Sequence, residues 1–351
     1  MRLVAAGLML LLAFNVCAKR YYSEQFSEQD LGKAFNTQLY QAQTQCLAGD
    51  VKYHTESAGQ LDYLQHLNET QIRRRTFGEI HGGINLFIVA GSVSTSITHK
   101  NATDNLSLTS QLHLKLSQGH STLENRQIVN EGTQCGDNFI YQVNFGRDLF
   151  INTRLHFRSE ADYKKFITKI KIRLLFFTKT KTKIKEIEKL AQNAVLTIDA
   201  NSNGTLPPKL QQLLDSNPQH CRGSNISPCL NTLQALADYT FGGELSNELS
   251  TLPKLPRSIV TKSYEESGHF DVNVDENIMN VEQYEQVWRD IDQRFGQALR
   301  RYQRADAFLQ VATEQEQANA EAELDVAHVK LSQLEDLRAT CFVQPWLGQC
   351  H

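Results

Sequence analysis

The stretch from Gly132 to Phe157, GTQCGDNFIYQVNFGRDLFINTRLHF, limits the fold of this chain more than any other. Its second half alternates: Leu149, Ile151, Thr153, Leu155 and Phe157 share one face at period two, the spacing of a strand with a buried side. Its first half carries Phe139, Ile140 and Val143 as an amphipathic segment after a Cys135-Gly136-Asp137 turn. Gly146 stands between the halves, where a tight reversal is expected because glycine tolerates positive φ. A strand with an apolar face needs a second layer, and long helix-patterned intervals supply one, so the expected class is α+β.

At 351 residues the chain is long enough for one large domain with an appendage, or for two domains. A net charge of −3 argues against a nucleic-acid partner. Arg2 precedes an apolar run from Leu3 to Phe14 and small residues near Ala18, the layout of a secretory signal peptide cut after Ala18. A lipoprotein site at Cys17 has a poor run-up in Asn15-Val16. No later segment reaches about 18 consecutive apolar residues, so the mature chain is expected to be soluble and secreted. Without Cys17, Cys46, Cys135, Cys221, Cys229, Cys341 and Cys350 remain, an even number that favours disulfides over a metal site in a secreted chain. Proximity favours Cys221–Cys229 and Cys341–Cys350, leaving Cys46–Cys135.

Residues 19–80 read as mostly helical, with Leu61, Leu64 and Leu67 at three-residue spacing. His81-Gly82-Gly83 opens a β segment from Ile84 to Thr98; without a G-x-S-x-G elbow in the chain, the glycines mark a bend rather than an oxyanion hole. A turn at Asn101–Asn105 leads into a second strand carrying Leu106, Leu108, Leu112, Leu114 and Leu116, so a hairpin is expected. Ser159 and Asp162 start a helix with Tyr163, Phe166, Ile167 and Ile170. Thr178 to Lys185 alternates at period two, which as a strand gives a face of Lys179, Lys181, Lys183 and Lys185. That face is either a solvated edge that resists aggregation or a contact surface.

Ala194–Asp199 is expected to be a strand. The Asp199, Asn201 and Asn203 that follow match half of a calcium loop, but Leu210 stands where the bidentate Glu belongs, so a turn is expected. A Cys221–Cys229 loop precedes a helix with Leu230, Leu233, Leu236 and Ala237, and Ile259–Tyr264 reads as a last edge strand. Val287, Ile291, Phe295, Leu299, Tyr302 and Leu309, continued by Leu324, Val329, Leu331 and Leu334, predict one long helix or a helical hairpin.

Gly132, Cys135, Gly136, Asp137, Phe139, Ile140, Val143, Gly146 and Leu149 together resemble the signature of the membrane-attack-complex/perforin (MACPF) superfamily, an aromatic-rich G-T-H-F-I … V … G-G-x-L run leading into a core strand. Asp137-Asn138 stands where Thr-His is commonest, and Arg147 replaces a second glycine. The resemblance covers roughly residues 20–270. It implies a bent, twisted antiparallel central sheet flanked by helical clusters in 19–272, after a signal peptide at 1–18 and before a helical C-terminal region at 273–351. It further implies a secreted protein that binds membranes and oligomerises into a pore by helix-to-hairpin insertion. The interval between the third and fourth core strands would then supply membrane contacts: Leu174, Phe176, Phe177, Lys179, Lys181, Lys183 and Lys185. The implied partners are an anionic lipid membrane and further copies of the chain. The expected turn of about ten residues between the first two strands opposes pore formation, since a spanning strand alone takes about 9–11 residues. The alternative is a secreted adhesion or effector module with the same fold. No Walker loop, HExxH or dinucleotide glycine run suggests an enzyme, a cofactor or a metal.

The mature protein is expected to begin at Lys19 and to hold no free thiol. Mass spectrometry without reduction should show both, and maleimide labelling of the folded protein would contradict the second.

Overall fold

A computed structural model describes residues 19–22, 26–37, 41–65, 67–69, 71–72, 98–129, 135–170, 181–272 and 282–351. Ten strands form one sheet: β1 (Lys19–Tyr22), β2 (Lys33–Asn36), β3 (Gln41–Gln45), β4 (Leu47–His54), β5 (Ala58–Gln65), β6 (Ser107–Ile128), β7 (Asn138–Phe157), β8 (Ala194–Ser202), β9 (His220–Arg222) and β10 (Pro256–Ser263). The longer helices are α1 (Glu160–Lys169), α2 (Lys181–Leu190), α3 (Pro208–Asp215), α4 (Ser227–Phe241), α5 (Glu244–Thr251), α6 (Glu282–Leu309) and α7 (Glu314–Val343). The fold is α+β.

The two longest strands organise the sheet. β6 and β7 pair antiparallel from Ser107↔His156 to Thr122↔Gln142. The outer edge of β6 carries β5 (Gln65↔Ser110 to Ala58↔Ser117) and then β4 (His54↔His120 to Leu47↔Ile128), two strands that run on end to end. On its other edge β7 pairs with β10 over Asn138–Phe145 and with β8 over Leu149–Phe157. The sheet therefore has two tiers sharing β6 and β7. One is β5-β6-β7-β8-β9; the other is built on β4, β6, β7, β10 and β1, with β2 and β3 at the start of β7.

Several sequence expectations change here. Residues 41–65 are strands rather than helix, because the long edge of β6 takes them up in its ladder and pairing overrides local preference. Both edges of β6 are occupied between Ser110 and Ser117 by β5 and β7, and the hairpin partner expected at 84–98 lies outside the described residues but for Thr98. His81–Ile97 lies outside the described residues, and 98–101 is a helical turn. β10 is no edge strand, since β1 covers it. Residues 181–190 form α2, so the period-two lysine pattern does not make one strand face.

Gly146 makes no reversal either. β7 runs straight through it, and its φ is not positive. The glycine is needed for space: a Cβ there would lie 2.3 Å from the carbonyl oxygen of Leu116, beside the irregularity between Ser117 and Gly119 on β6. Gly119, at φ +111°, supplies the backbone conformation this irregularity needs.

The larger core lies between the β6–β8 half of the sheet and helices α1 to α5. Leu112, Leu149, Ile151, Leu155, Phe157, Leu196 and Ile198 face it from the strands, and Phe166 of α1 and Ile187 of α2 close it. Each such buried side chain contributes about 1.5–3 kcal/mol. Ser159 caps α1, accepting from the Asp162 amide at 3.2 Å. A second core joins β2, β4, β7 and β10 around Phe35, Phe139, Ile140, Val143 and Ile259. The disulfides are Cys221–Cys229 and Cys341–Cys350, the pairs that proximity favours, and Cys46–Cys135, the pair left over. α6 and α7 fold back on each other as a hairpin over Phe295, Ala298, Leu299, Leu331 and Leu334.

Gly146→Val should lower stability by about 1–3 kcal/mol through the forced displacement of the Leu116 carbonyl. Urea unfolding followed by circular dichroism would measure it, and an unchanged midpoint would show that the strands can part without cost.

Candidate functional site

Most of the signature residues hold the sheet together. Cys135 ties the start of β7 to Cys46, ahead of β4. Gly136 lets the chain pass the Phe35 carbonyl, where a Cβ would sit at 2.7 Å. Asp137 accepts from the Thr37 amide at 2.8 Å and from its hydroxyl. Phe139, Ile140 and Val143 are fully buried, and Leu149 enters the larger core. Gly132 lies outside the described residues, as do Leu174, Phe176, Phe177 and Lys179. Lys181, Lys183 and Lys185 fall on α2, where Lys185 is exposed and Ile187 points into the core.

The seam where β7 changes partner from β10 to β8 is polar and buried. Arg257 places Nε 2.5 Å and Nη2 3.1 Å from the Asp148 carboxylate, and His113 Nε2 donates to Asp148 Oδ1 at 2.8 Å. Burial works against a charged Asp148, but His113 and Arg257 outweigh it and hold the carboxyl below its usual range. Burial pushes the His113 pKa down against the pull of Asp148, and its ring stacks 4.2 Å from Phe150. Asn203 accepts from the Asp148 amide at 2.9 Å and donates to the Gly146 carbonyl at 3.2 Å, so the residue read from the sequence as part of a turn ties this seam. Asp199, the first residue of the half calcium loop, binds Asn152 and Arg154. Among the described residues no group of His, Cys, Asp and Glu is placed to hold a metal ion. His113 and Asp148 have no exposed surface, so their pairing is structural.

The geometry that points to function lies at one end of the β5-β6-β7-β8 tier. Gln65↔Ser110, Ser107↔His156 and Phe157↔Ala194 bring the ends of all four strands together. Two intervals leave from that end: 66–106 between β5 and β6, and 158–193 between β7 and β8. The second holds α1 and α2. The first includes helical turns at 71–72 and 98–101. Among the described residues the strand before β6 is β5, and the interval between the two is 66–106 rather than the expected ten-residue turn. Each interval exceeds the roughly 20 residues plus a turn that a spanning hairpin requires.

The C-terminal hairpin grips the first interval. His99 is fully buried, with Nδ1 3.2 Å from Glu69 and Nε2 3.1 Å from Asp292 of α6. Arg300 of α6 pairs with Glu69 and, at 3.7 Å, with Asp104; Arg304 also lies 3.7 Å from Asp104. Arg338 of α7 reaches Asp292 at 3.2 Å and lies 4.9 Å over the Phe295 ring. Burial opposes charge on His99, but Asp292 and Glu69 outweigh it and raise its pKa. Burial likewise opposes charge on Glu69, but His99 and Arg300 outweigh it and push its pKa down to about 2. Gly296 sits in mid-helix because a Cβ there would lie 2.4 Å from His99 Nδ1. One signal in the sequence could have marked this cluster: Asp292 occupies a position on the apolar stripe between Ile291 and Phe295.

No protein-family model matches the chain, and no curated protein matches it in sequence. Solved structures do. One titled "Stonustoxin structure" is 11% identical over 93% of this chain and 42% of its own, with a TM-score of 0.37. A cell invasion protein with a MAC/Perforin domain from Bacteroides thetaiotaomicron is 9% identical over 79% of this chain and 63% of its own, at a TM-score of 0.32. A sugar-binding protein, pneumolysin, is 12% identical over 62% and 41%, at 0.27. The chain is similar to these proteins in part. It spans about two fifths of the stonustoxin and pneumolysin chains.

The raised pKa of His99 gives a stabilisation that is complete below its ordinary value of 6.5 and is lost as pH rises through the raised one. Glu69 contributes above its ordinary 4.5 and loses that contribution as pH falls toward 2. His99→Gln should cost about 3 kcal/mol at pH 6 and flatten the decline of stability above pH 6.5. Urea titrations across pH would show it, and an unaltered pH profile would remove His99 from the account. Gly296→Ala should destabilise through His99, although alanine at an open helical site is favoured by about 1 kcal/mol.

Proposed function

We propose that this is a secreted membrane-binding protein that oligomerises and inserts the intervals 66–106 and 158–193 as hairpins. The observation that carries this reading is their departure from the same end of four consecutive antiparallel strands, β5-β6-β7-β8. Extended in place, each interval would continue the ladder of its two strands, and the two hairpins would lie side by side. A flat extension leaves strand edges unpaired, which hydrocarbon does not tolerate, so insertion requires closure with other copies into a barrel. Two devices keep the soluble form closed. The α6–α7 hairpin holds Glu69, His99 and Asp104 of the first interval, and β9 covers the outer edge of β8 at Val195–Thr197. No described helix is long and apolar enough to cross a membrane, so spanning by this route rests on strands.

The lysines of the second interval give the membrane contact. On α2 Lys185 is exposed while Ile187 is buried, so Lys185 can meet an anionic surface. Each cation near such a surface adds about 1 kcal/mol of attraction, screened over about 8–10 Å.

Dye release from anionic liposomes, with electron microscopy for rings, tests the reading. Leakage with rings is the expected result; binding without leakage would favour the adhesion or effector module, and no binding would overturn both. Changing Lys179, Lys181, Lys183 and Lys185 to Gln should weaken liposome binding by about 1 kcal/mol per residue and reduce its salt dependence.

A further inference from the structure

We propose that the cavity between the end of β7 and the α6–α7 hairpin is an oxyanion site that takes a phosphate monoester. The cavity encloses about 230 Å³, and Arg158, Arg301 and Arg304 line it together with Phe308 and a single acid, Glu323. Arg158 follows β7 directly, Arg301 and Arg304 belong to α6, and Glu323 belongs to α7. Three guanidinium groups from two separate parts of the fold therefore line one cavity with one carboxylate.

Their existing partners leave this charge largely uncompensated. Arg158 lies 4.1 Å from the centre of the Phe308 ring, a contact that fixes its plane without neutralising it. Among the described residues neither Arg158 nor Arg301 pairs with a carboxylate. Arg304 reaches only Asp104, at 3.7 Å, and its buried Nη1 has no hydrogen-bond acceptor. Burial lowers the basicity of Arg304, and the charges of Arg301 and Arg300 lower it further against the opposing pull of Asp104 and Glu323. A structure that gathers like charges this way is relieved by an anion.

The geometry selects the class. Guanidinium forks donate in pairs to oxyanions, and a tetrahedral dianion can accept from three directions, where a planar carboxylate serves two. The aromatic wall at Phe308 suits the carbon side of an ester better than free inorganic phosphate. A phosphate monoester of this kind is offered by a lipid headgroup, as in phosphatidate, or by a small soluble metabolite. The site stands whether or not the chain forms pores.

Titration calorimetry of the full mature chain with glycerol 3-phosphate tests it. One-to-one binding is expected, weakened at least tenfold in Arg158→Gln/Arg301→Gln and strengthened in Glu323→Gln, where a repelling charge is gone. Circular dichroism and thermal unfolding of each variant confirm that it folds, and the exposed Glu323 gives a readout that a packing defect would not mimic. Competition by phosphatidate vesicles but not phosphatidylcholine vesicles assigns the lipid source; no competition assigns a soluble ligand. Absence of saturable binding by the parent, or equal binding by the folded double variant, overturns the proposal.

Discussion

The rest of this structure depends on the hydrogen-bond ladder between β6 and β7. A strand of 20 residues exposes backbone donors and acceptors on both edges, and nearly all of them must find partners when its side chains are buried. β7 meets that demand with β6 on one side and with β10 and then β8 on the other. Once these partners are fixed, the two cores follow. One face of the β5-β6-β7-β8-β9 tier receives α1 to α5, and the other tier closes over Phe35, Phe139 and Tyr264.

The changeover at residues 146–148 is where the ladder is weakest, and the polar groups gather there for that reason. Between the end of β10 pairing and the start of β8 pairing, β7 lacks a strand on that edge. Leu255 accepts from the Gly146 amide, and Asn203 bridges the Gly146 carbonyl and the Asp148 amide. Arg257 and His113 then satisfy the Asp148 carboxylate in a place without water. Removing one partner of such a cluster leaves a buried charge, which costs more than the cluster adds as a whole. The buried charges around His99 obey the same rule, but they join two parts of the chain far apart in sequence.

The two intervals are held by contacts of different kinds. α1 and α2 are held by a few apolar anchors, Phe166 and Ile187 foremost, and the first interval by ion pairs and the small cluster of Leu64, Leu67, Ile72 and Ala102. Neither contact is as extensive as the β6–β7 ladder beneath it.

The sequence by itself determined the elements whose information is local. Period two from Leu149 to Phe157 gave the buried strand, Ser159 with Asp162 the cap of α1, the run from Ala194 the β8 strand, and the apolar stripes from Val287 to Leu334 a helical C-terminal region, as one long helix or a hairpin. Cysteine spacing favoured two of the disulfide pairs and left Cys46–Cys135 as the third. Local pattern failed wherever the partner of a segment decided its state. Leu61, Leu64 and Leu67 have a helical spacing, yet β5 forms because the edge of β6 is open to it. Alternating lysines suggested a strand, yet residues 181–190 close the core as a helix through Ile187. Gly146 was legible as a required glycine but not for the right reason, since the demand comes from Leu116 on the neighbouring strand. The charged cluster of Glu69, His99, Asp104, Asp292, Arg300 and Arg338 was beyond reading, apart from an acid on an apolar stripe. Its members span most of the chain, and only the tertiary structure brings their charges within a few ångströms, where Coulomb attraction outweighs the loss of water.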